Sequence, residues 1–172
     1  MTDKPLGEDY FLLTIDDPIQ GKPVPTLSFT RSPLVMLGFT ANRYARTTSR
    51  IFKKEFGLAA MDWRILVMLT WKTDIPASVA CQTIGIDKAA VSRTLARLEK
   101  LGLVTANIFS EMGKRPVWRL TQKGYEMHDD MLKVSLLLHQ KLTKGFSEQD
   151  VEKFNGYLEL MMGNIEDLEE EM

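Results

Sequence analysis

The chain has 172 residues, of which 44% are hydrophobic, and a formal net charge of −1, values typical of one globular domain with a packed core. The longest stretch without a charged side chain has twelve residues, from Ile75 to Ile86, whereas a membrane-spanning helix needs about 20 apolar residues. One cysteine and two histidines exclude an intrachain disulfide and predict neither a metal site nor a cofactor. The chain starts without the basic and apolar segments of a signal peptide, so we expect a cytoplasmic protein.

The first 32 residues are predicted to form an irregular N-terminal arm, because four of the seven prolines lie within the first 25 positions. At most one short extended piece is expected there, at residues 10–15. From Pro33 to Gly57, apolar side chains recur at steps of three and four residues, which predicts the first helix. Residues 60–72 are apolar on more than one face, so a second helix there is expected to be buried centrally.

The next segment has the order short helix, turn, helix and hairpin. Pro76 suits the first turn of a short helix that ends near Ile84, and Asp87 is a good N-cap for a fourth helix over residues 88–100. Two runs of alternating residues around Gly113 then predict a β-hairpin. This order is that of a winged helix-turn-helix.

Two long helices are predicted after the hairpin. Thr121 can cap a fifth helix over residues 122–144, and Ser147 can cap a sixth. Apolar residues of the sixth helix follow a strict heptad, which favours packing between two subunits over a surface helix with a narrow core-facing stripe. This heptad seam consists of Val151, Phe154, Leu158, Met161, Ile165 and Leu168, and we expect Leu158, Met161 and Ile165 in a dimer interface.

The predicted fold is mainly α with a small β-wing. Residues 1–32 form the arm, residues 33–57 and 121–172 form a helical dimerisation region, and residues 58–120 form the DNA-binding region. Enzymatic activity is not expected, because the sequence has no glycine-rich phosphate loop, nucleophile motif or metal-ligand spacing.

Charge is distributed unevenly along this chain. Residues 87–119 carry a net charge of +4, and residues 147–172 carry −8. This asymmetry suggests one face that binds a polyanion and a separate face that does not. On the fourth helix, Arg93 points away from the apolar face and can bond a guanine edge bidentately, while Arg97 and Lys100 are expected to meet backbone phosphate. The predicted DNA contacts are Lys88, Ala89, Ser92, Arg93, Arg97, Lys114 and Arg115.

This basic helix has two other interpretations. Its charged residues are also what a solvated amphipathic helix would carry. A winged-helix protein–protein adaptor without DNA binding is the alternative function, and the basic outward face argues against it, since an adaptor does not need that charge.

Four motifs carry a resemblance to a known family. They are Asp62-Trp63-Arg64-Ile65-Leu66, residues 86–93, residues 98–104 and residues 120–124. In this order and spacing, the chain resembles the MarR (multiple antibiotic resistance regulator) family of bacterial transcription factors over about residues 34–168. The resemblance implies a homodimer built from the first and last helices, repression at a pseudo-palindromic operator of double-stranded DNA, and release of DNA by a small, often aromatic effector.

Two positions depart from the family pattern. The family commonly has Thr or Ser before the second helix, where this chain has Ala59, so the N-cap of that helix must come from elsewhere or be absent. The wing usually carries Asp-x-Arg, whereas here the tip is residues 111–115 and Glu111 is the only local acid.

An effector pocket is the least direct of the predictions. In the family the ligand usually lies between the dimer helices and the winged region, and Tyr44, Trp63 and His128 are the candidate lining, around Met61 and Met131. Arg46 is expected to be solvated or to face phosphate rather than to pair with a carboxylate. Cys81 is interpreted as a small buried hydrophobe rather than a redox sensor.

Overall fold

The computed structural model describes residues 6–16, 19, 21–107 and 116–172. It confirms a mainly helical fold with a small β-wing. The helices are α1 (Pro33–Phe56), α2 (Ala60–Trp71), α3 (Ala77–Ile84), α4 (Lys88–Lys100), α5 (Gln122–Leu142) and α6 (Glu148–Glu170). The strands are β1 (Leu12–Asp16), β2 (Pro23–Leu27), β3 (Ile75–Pro76), β4 (Val104–Asn107) and β5 (Val117–Leu120), preceded by a short 3-10 helix at Glu8–Tyr10.

The sequence predicts an irregular N-terminal arm. The structure instead contains an antiparallel hairpin of β1 and β2 there. Its register pairs Leu12 with Leu27 and Thr14 with Pro25. Two prolines are compatible with β2 because they lie two residues apart, at positions 23 and 25. Backbone N–H groups two residues apart point the same way, so both missing donors face the outer edge of the hairpin, where no partner strand needs them.

Most helices begin and end where the sequence predicts, because the capping side chains are in place. Ser32 accepts a hydrogen bond from the amide of Val35, and Gly57 ends α1 in the left-handed conformation with φ 71°. The carboxylate of Asp87 accepts from the amide of Ala90 at 2.9 Å. Helix α5 ends two residues before the predicted limit, at Leu142.

Helix α2 lies at the centre of the core and contacts α1, α3, α4, α5 and β5. Its residues Ile65, Leu66 and Leu69 are fully buried, as the sequence predicts. The wing is a three-stranded sheet of order β3-β5-β4, in which the short strand β3 was not predicted. Cys81 is half-buried and packs against the core.

We expect Gly124→Ala to destabilise the fold by at least about 1–3 kcal/mol. A Cβ at Gly124 would lie 2.0 Å from the carbonyl oxygen of Leu103. That oxygen also accepts a hydrogen bond from the amide of Thr121, so it cannot move without loosening the junction between the wing and α5. Urea unfolding of the variant and the wild type measures the difference.

The matched control is Gly156→Ala in α6, where a Cβ would meet nothing within 4 Å. There the substitution should be neutral or stabilising by about 0.5–1 kcal/mol, because alanine favours the helix. Equal effects at the two glycines would show that the contact with Leu103 does not limit position 124.

Candidate nucleic-acid interface

Helix α4 has one buried and one exposed face. Val91, Leu95 and Leu98 are buried against the core, as the helical wheel predicts. The predicted DNA contacts on this helix are all exposed and follow the opposite face: Lys88, Ala89, Ser92, Arg93 and Arg97. Because Ala89 is small and the arginine and lysine side chains are long, this face presents a cationic surface that a nucleic-acid backbone can approach closely.

The turn between α3 and α4 fixes how the two helices cross. Gly85 adopts φ 69°, a left-handed conformation that favours glycine. The amides of Gly85 and Ile86 both donate to the carbonyl oxygen of Cys81, at 2.9 and 3.2 Å. Ala80 is buried at the crossing, where its small side chain permits close approach.

Arg97 differs from the other exposed residues of α4. Its guanidinium forms a salt bridge with the carboxylate of Asp62 in α2, which is fully buried. The sequence predicts a phosphate contact for Arg97. In the structure its guanidinium pairs with this carboxylate, because a buried carboxylate needs a cationic partner, while 44% of the side chain stays exposed. Thirty-five residues separate the two, so the pattern along the chain gave no signal of the pair.

The described part of the wing is its base, whereas Lys114, Arg115 and Glu111 lie outside the described residues. At the base, the Nε of Arg119 donates to Asp74 at 2.7 Å, and a second guanidinium nitrogen lies 2.6 Å from the same oxygen. Asp74 has a positive φ of 57°, uncommon for a residue other than glycine. This pair joins the α2–β3 connection to β5, and sequence reasoning missed it.

The N-terminus of α2 is capped without a side chain at Ala59. The carboxylate of Asp62 accepts from the amide of Ala59 at 2.7 Å, and the hydroxyl of Ser49 in α1 accepts from the amide of Ala60 at 3.1 Å. The cap that the sequence could not identify therefore comes from one residue within the helix and one residue of α1.

The three residues predicted to bind an effector line one cavity between α1, α2 and α5. This cavity, of about 410 Å³, has Tyr44, Trp63 and His128 in its wall. The rings of Trp63 and His128 stack with centroids 5.3 Å apart. The remaining lining residues are Thr48, Ala60, Arg64, Val67, Leu132, Ser135, Leu136 and His139.

Met61 and Met131, expected around this pocket, lie elsewhere, as does Arg46, for which a solvated or phosphate-facing role is predicted. Met131 is fully buried in the core, Met61 is not part of the lining, and Arg46 lines a separate surface cavity with Arg43. The cation that does line the cavity is Arg64, which sequence reasoning missed. A signal existed, since positions 60, 63, 64 and 67 share one face of a helix.

Helix α6 contributes no buried residue to this subunit. Leu158 and Met161 are half-buried and line a groove of about 530 Å³ against Pro33, Met36 and Leu37 of α1. Ile165 is 49% exposed. The heptad seam is thus continuous with apolar residues of α1 and is uncovered.

Comparison with known proteins identifies relatives of this chain. Residues 56–115, which contain α2, α3, α4, β3 and β4, match the model of the MarR family. Over these residues the chain is a MarR-family winged helix-turn-helix. A relative named HTH-type transcriptional repressor IacR, from Pseudomonas putida, is 26% identical over 136 residues, covering 79% of this chain and 81% of that protein.

Solved structures share the fold of this MarR-family chain. A MarR/EmrR family transcriptional regulator from Acinetobacter sp. ADP1 has a TM-score of 0.77 at 23% identity, covering 82% of this chain and 99% of that one. The S. aureus MepR–DNA complex has a TM-score of 0.68 at 15% identity, covering 80% and 99%.

The family assignment makes the protein a DNA-binding transcriptional regulator rather than an enzyme. Within the described ranges, no helix combines the length and the apolar character that crossing a bilayer requires.

Proposed function

We propose that this MarR-family regulator is a cytoplasmic homodimeric repressor that binds a pseudo-palindromic operator through α4 of each subunit. A small aromatic or lipophilic molecule in the cavity of Tyr44, Trp63 and His128 disfavours the DNA-bound form. Residues 33–57 and 121–172 dimerise, and residues 58–120 read DNA. The observation that carries the proposal is the exposed cationic face of α4 opposite its buried face. Repression is supported by the name of the Pseudomonas putida relative.

Base recognition is proposed for the first two turns of α4. Lys88, Ala89, Ser92 and Arg93 lie on its exposed face, and the N-terminal part of a recognition helix is the part that meets base edges. An arginine can bond the O6 and N7 atoms of guanine with two parallel hydrogen bonds. For Lys114 and Arg115 we propose minor-groove or phosphate contacts, on the strength of their charge and their place beside the predicted hairpin tip.

A dimer is proposed because α6 has no other means of burying its apolar side chains. Phe154, Ile165 and Leu168 are each about half exposed in the single subunit. Together with the groove against α1 they form an extended apolar surface, and exposed patches of this kind mark protein interfaces. A second copy of the same surface would cover the seam on both subunits.

Arg93→Ala is expected to weaken operator binding by about 1–3 kcal/mol and to relax base preference at one position in each half-site. The operator can be obtained by selecting duplexes from a randomised pool with the wild-type protein. Binding to variants of the selected duplex, measured by fluorescence anisotropy, gives the preference at each position.

Lys153→Ala is the matched control, because it removes the same charge from the exposed surface of α6. It should leave the base preference unchanged. Equal weakening by Arg93→Ala on every sequence would contradict base recognition and make Arg93 a phosphate contact.

Leu158→Lys is expected to yield monomer or unfolded protein, because it places a charge in the proposed seam. Asn155→Lys adds the same charge at an exposed position of α6 outside the seam and should remain dimeric. Light scattering gives the mass of each variant. A folded dimer after Leu158→Lys would exclude the seam as the interface.

The effector proposal depends on the cavity wall. Aromatic rings, exposed aliphatic side chains and the cation of Arg64 together suit a small aromatic molecule, which can stack on a ring and present a polar group to the guanidinium. Operator DNA and effector must weaken one another by the same factor, because the coupling between two binding sites is reciprocal.

Tyr44→Ala is expected to weaken binding of an aromatic probe roughly tenfold, an effect of about 1.4 kcal/mol, because it removes one ring from the wall. Calorimetric titration with benzoate, naphthalene-1-acetate and indole, with and without operator, provides the measurement. Tyr125→Ala, on an exposed part of α5 outside the cavity, is the control. Probe affinity that is the same with and without operator would show that the probe is no inducer.

A further inference from the structure

We propose that Arg97 is a positioning residue for DNA recognition, whose salt bridge with Asp62 holds the recognition helix α4 against the first turn of α2. The inference rests on the proposed function, since it takes α4 as the helix that reads the operator. It replaces the phosphate contact predicted for Arg97 with an indirect role.

Burial gives this salt bridge its importance. The side chain of Asp62 is 0% exposed, and one of its oxygens accepts from the amide of Ala59 at 2.7 Å. The other oxygen accepts from the guanidinium of Arg97. A buried carboxylate that loses its cationic partner is strongly destabilised. Any movement of α4 that carries Arg97 away from Asp62 is therefore opposed.

The guanidinium of Arg97 is placed to act on the neighbouring part of α4. Arg97 follows Arg93 by one helical turn, and its side chain is 44% exposed at the flank of the face that carries Arg93. Fixing the position of residue 97 fixes the rotation of the helix about its own axis. A small rotation would move the guanidinium of Arg93 out of register with a base edge, because bidentate hydrogen bonds require a defined geometry.

The first turn of α2 connects this salt bridge to the cavity. Ala60, Trp63 and Arg64 of that turn line the cavity, while Asp62 points to the core side. The amide of Ala60 also donates to Ser49 of α1 at 3.1 Å. One turn of helix thus contacts α1, the cavity and α4, so a displacement of the turn at the cavity acts directly on the partner of Arg97.

A double-mutant cycle tests the assignment. The variants are Arg97→Gln, Asp62→Asn and the pair together, with Arg97→Lys as a variant that keeps the charge. Asp62→Asn keeps an oxygen that can accept from Ala59. The probes are the duplex that the wild-type protein selects from a randomised pool and a scrambled duplex of the same length. Affinity for each is measured at several salt concentrations, and thermal unfolding of each variant reports its stability.

If Arg97 positions the helix, each single substitution should lower the preference for the selected duplex roughly tenfold, about 1.4 kcal/mol. The double variant should lose no more than either single one, because the two residues act as one unit. Arg97→Lys should also lose preference with an unchanged salt slope, since a compact ammonium does not reproduce the planar guanidinium. Lys153→Arg, on α6, should change nothing.

A phosphate contact gives the opposite pattern and would overturn the inference. Arg97→Gln would then weaken binding to both duplexes equally and reduce the slope of log affinity against log salt by about 1. Asp62→Asn would have no effect on DNA, and Arg97→Lys would bind as the wild type does. If Asp62→Asn does not fold, Arg97→Lys and Arg97→Gln still separate the two roles. Failure of the wild type to select any duplex would instead contradict the proposed function.

Discussion

Burial of helix α2 is the constraint on which the other parts of this molecule depend. Its residues Ile65, Leu66 and Leu69 are fully buried, and the helix contacts α1 and α5 as well as α3 and α4. Four elements with a proposed function contact it: α1 and α5 at the cavity, α4 at the cationic face and β5 at the wing. One helix therefore lines both the proposed effector cavity and the base of the proposed recognition helix.

Polar contacts, rather than the apolar core, set the directions of the functional elements around α2. Asp62 joins α2 to α4, and Asp74 joins the end of α2 to the wing through Arg119. In the described part of the chain, every buried side-chain nitrogen or oxygen has a partner. Apolar packing tolerates small rotations of a helix, whereas a buried carboxylate with a fixed guanidinium does not. The orientation of α4 is thus specified more tightly than its burial alone would require.

Local sequence patterns predicted the helices, their caps and the exposed face of α4, because a helix repeats on the scale of a few residues. The family resemblance, rather than local spacing, predicted that Tyr44, Trp63 and His128 share one pocket. The patterns could not predict the two salt bridges, whose partners lie 35 and 45 residues apart. Strand β3 has only two residues, which is too few to show an alternating pattern. Strand β2 was missed because its prolines argue against a strand, although their missing N–H groups face the unpaired outer edge.

The hairpin of β1 and β2 has two edges that differ in what they can bind. Along the outer edge of β2, two of the three positions that would donate are Pro23 and Pro25, which have no N–H. A further strand added along this edge would lack two of its three donors, so pairing with strands from other molecules is disfavoured on this side of the hairpin. The prolines of the arm thereby act against edge-to-edge association of an exposed hairpin.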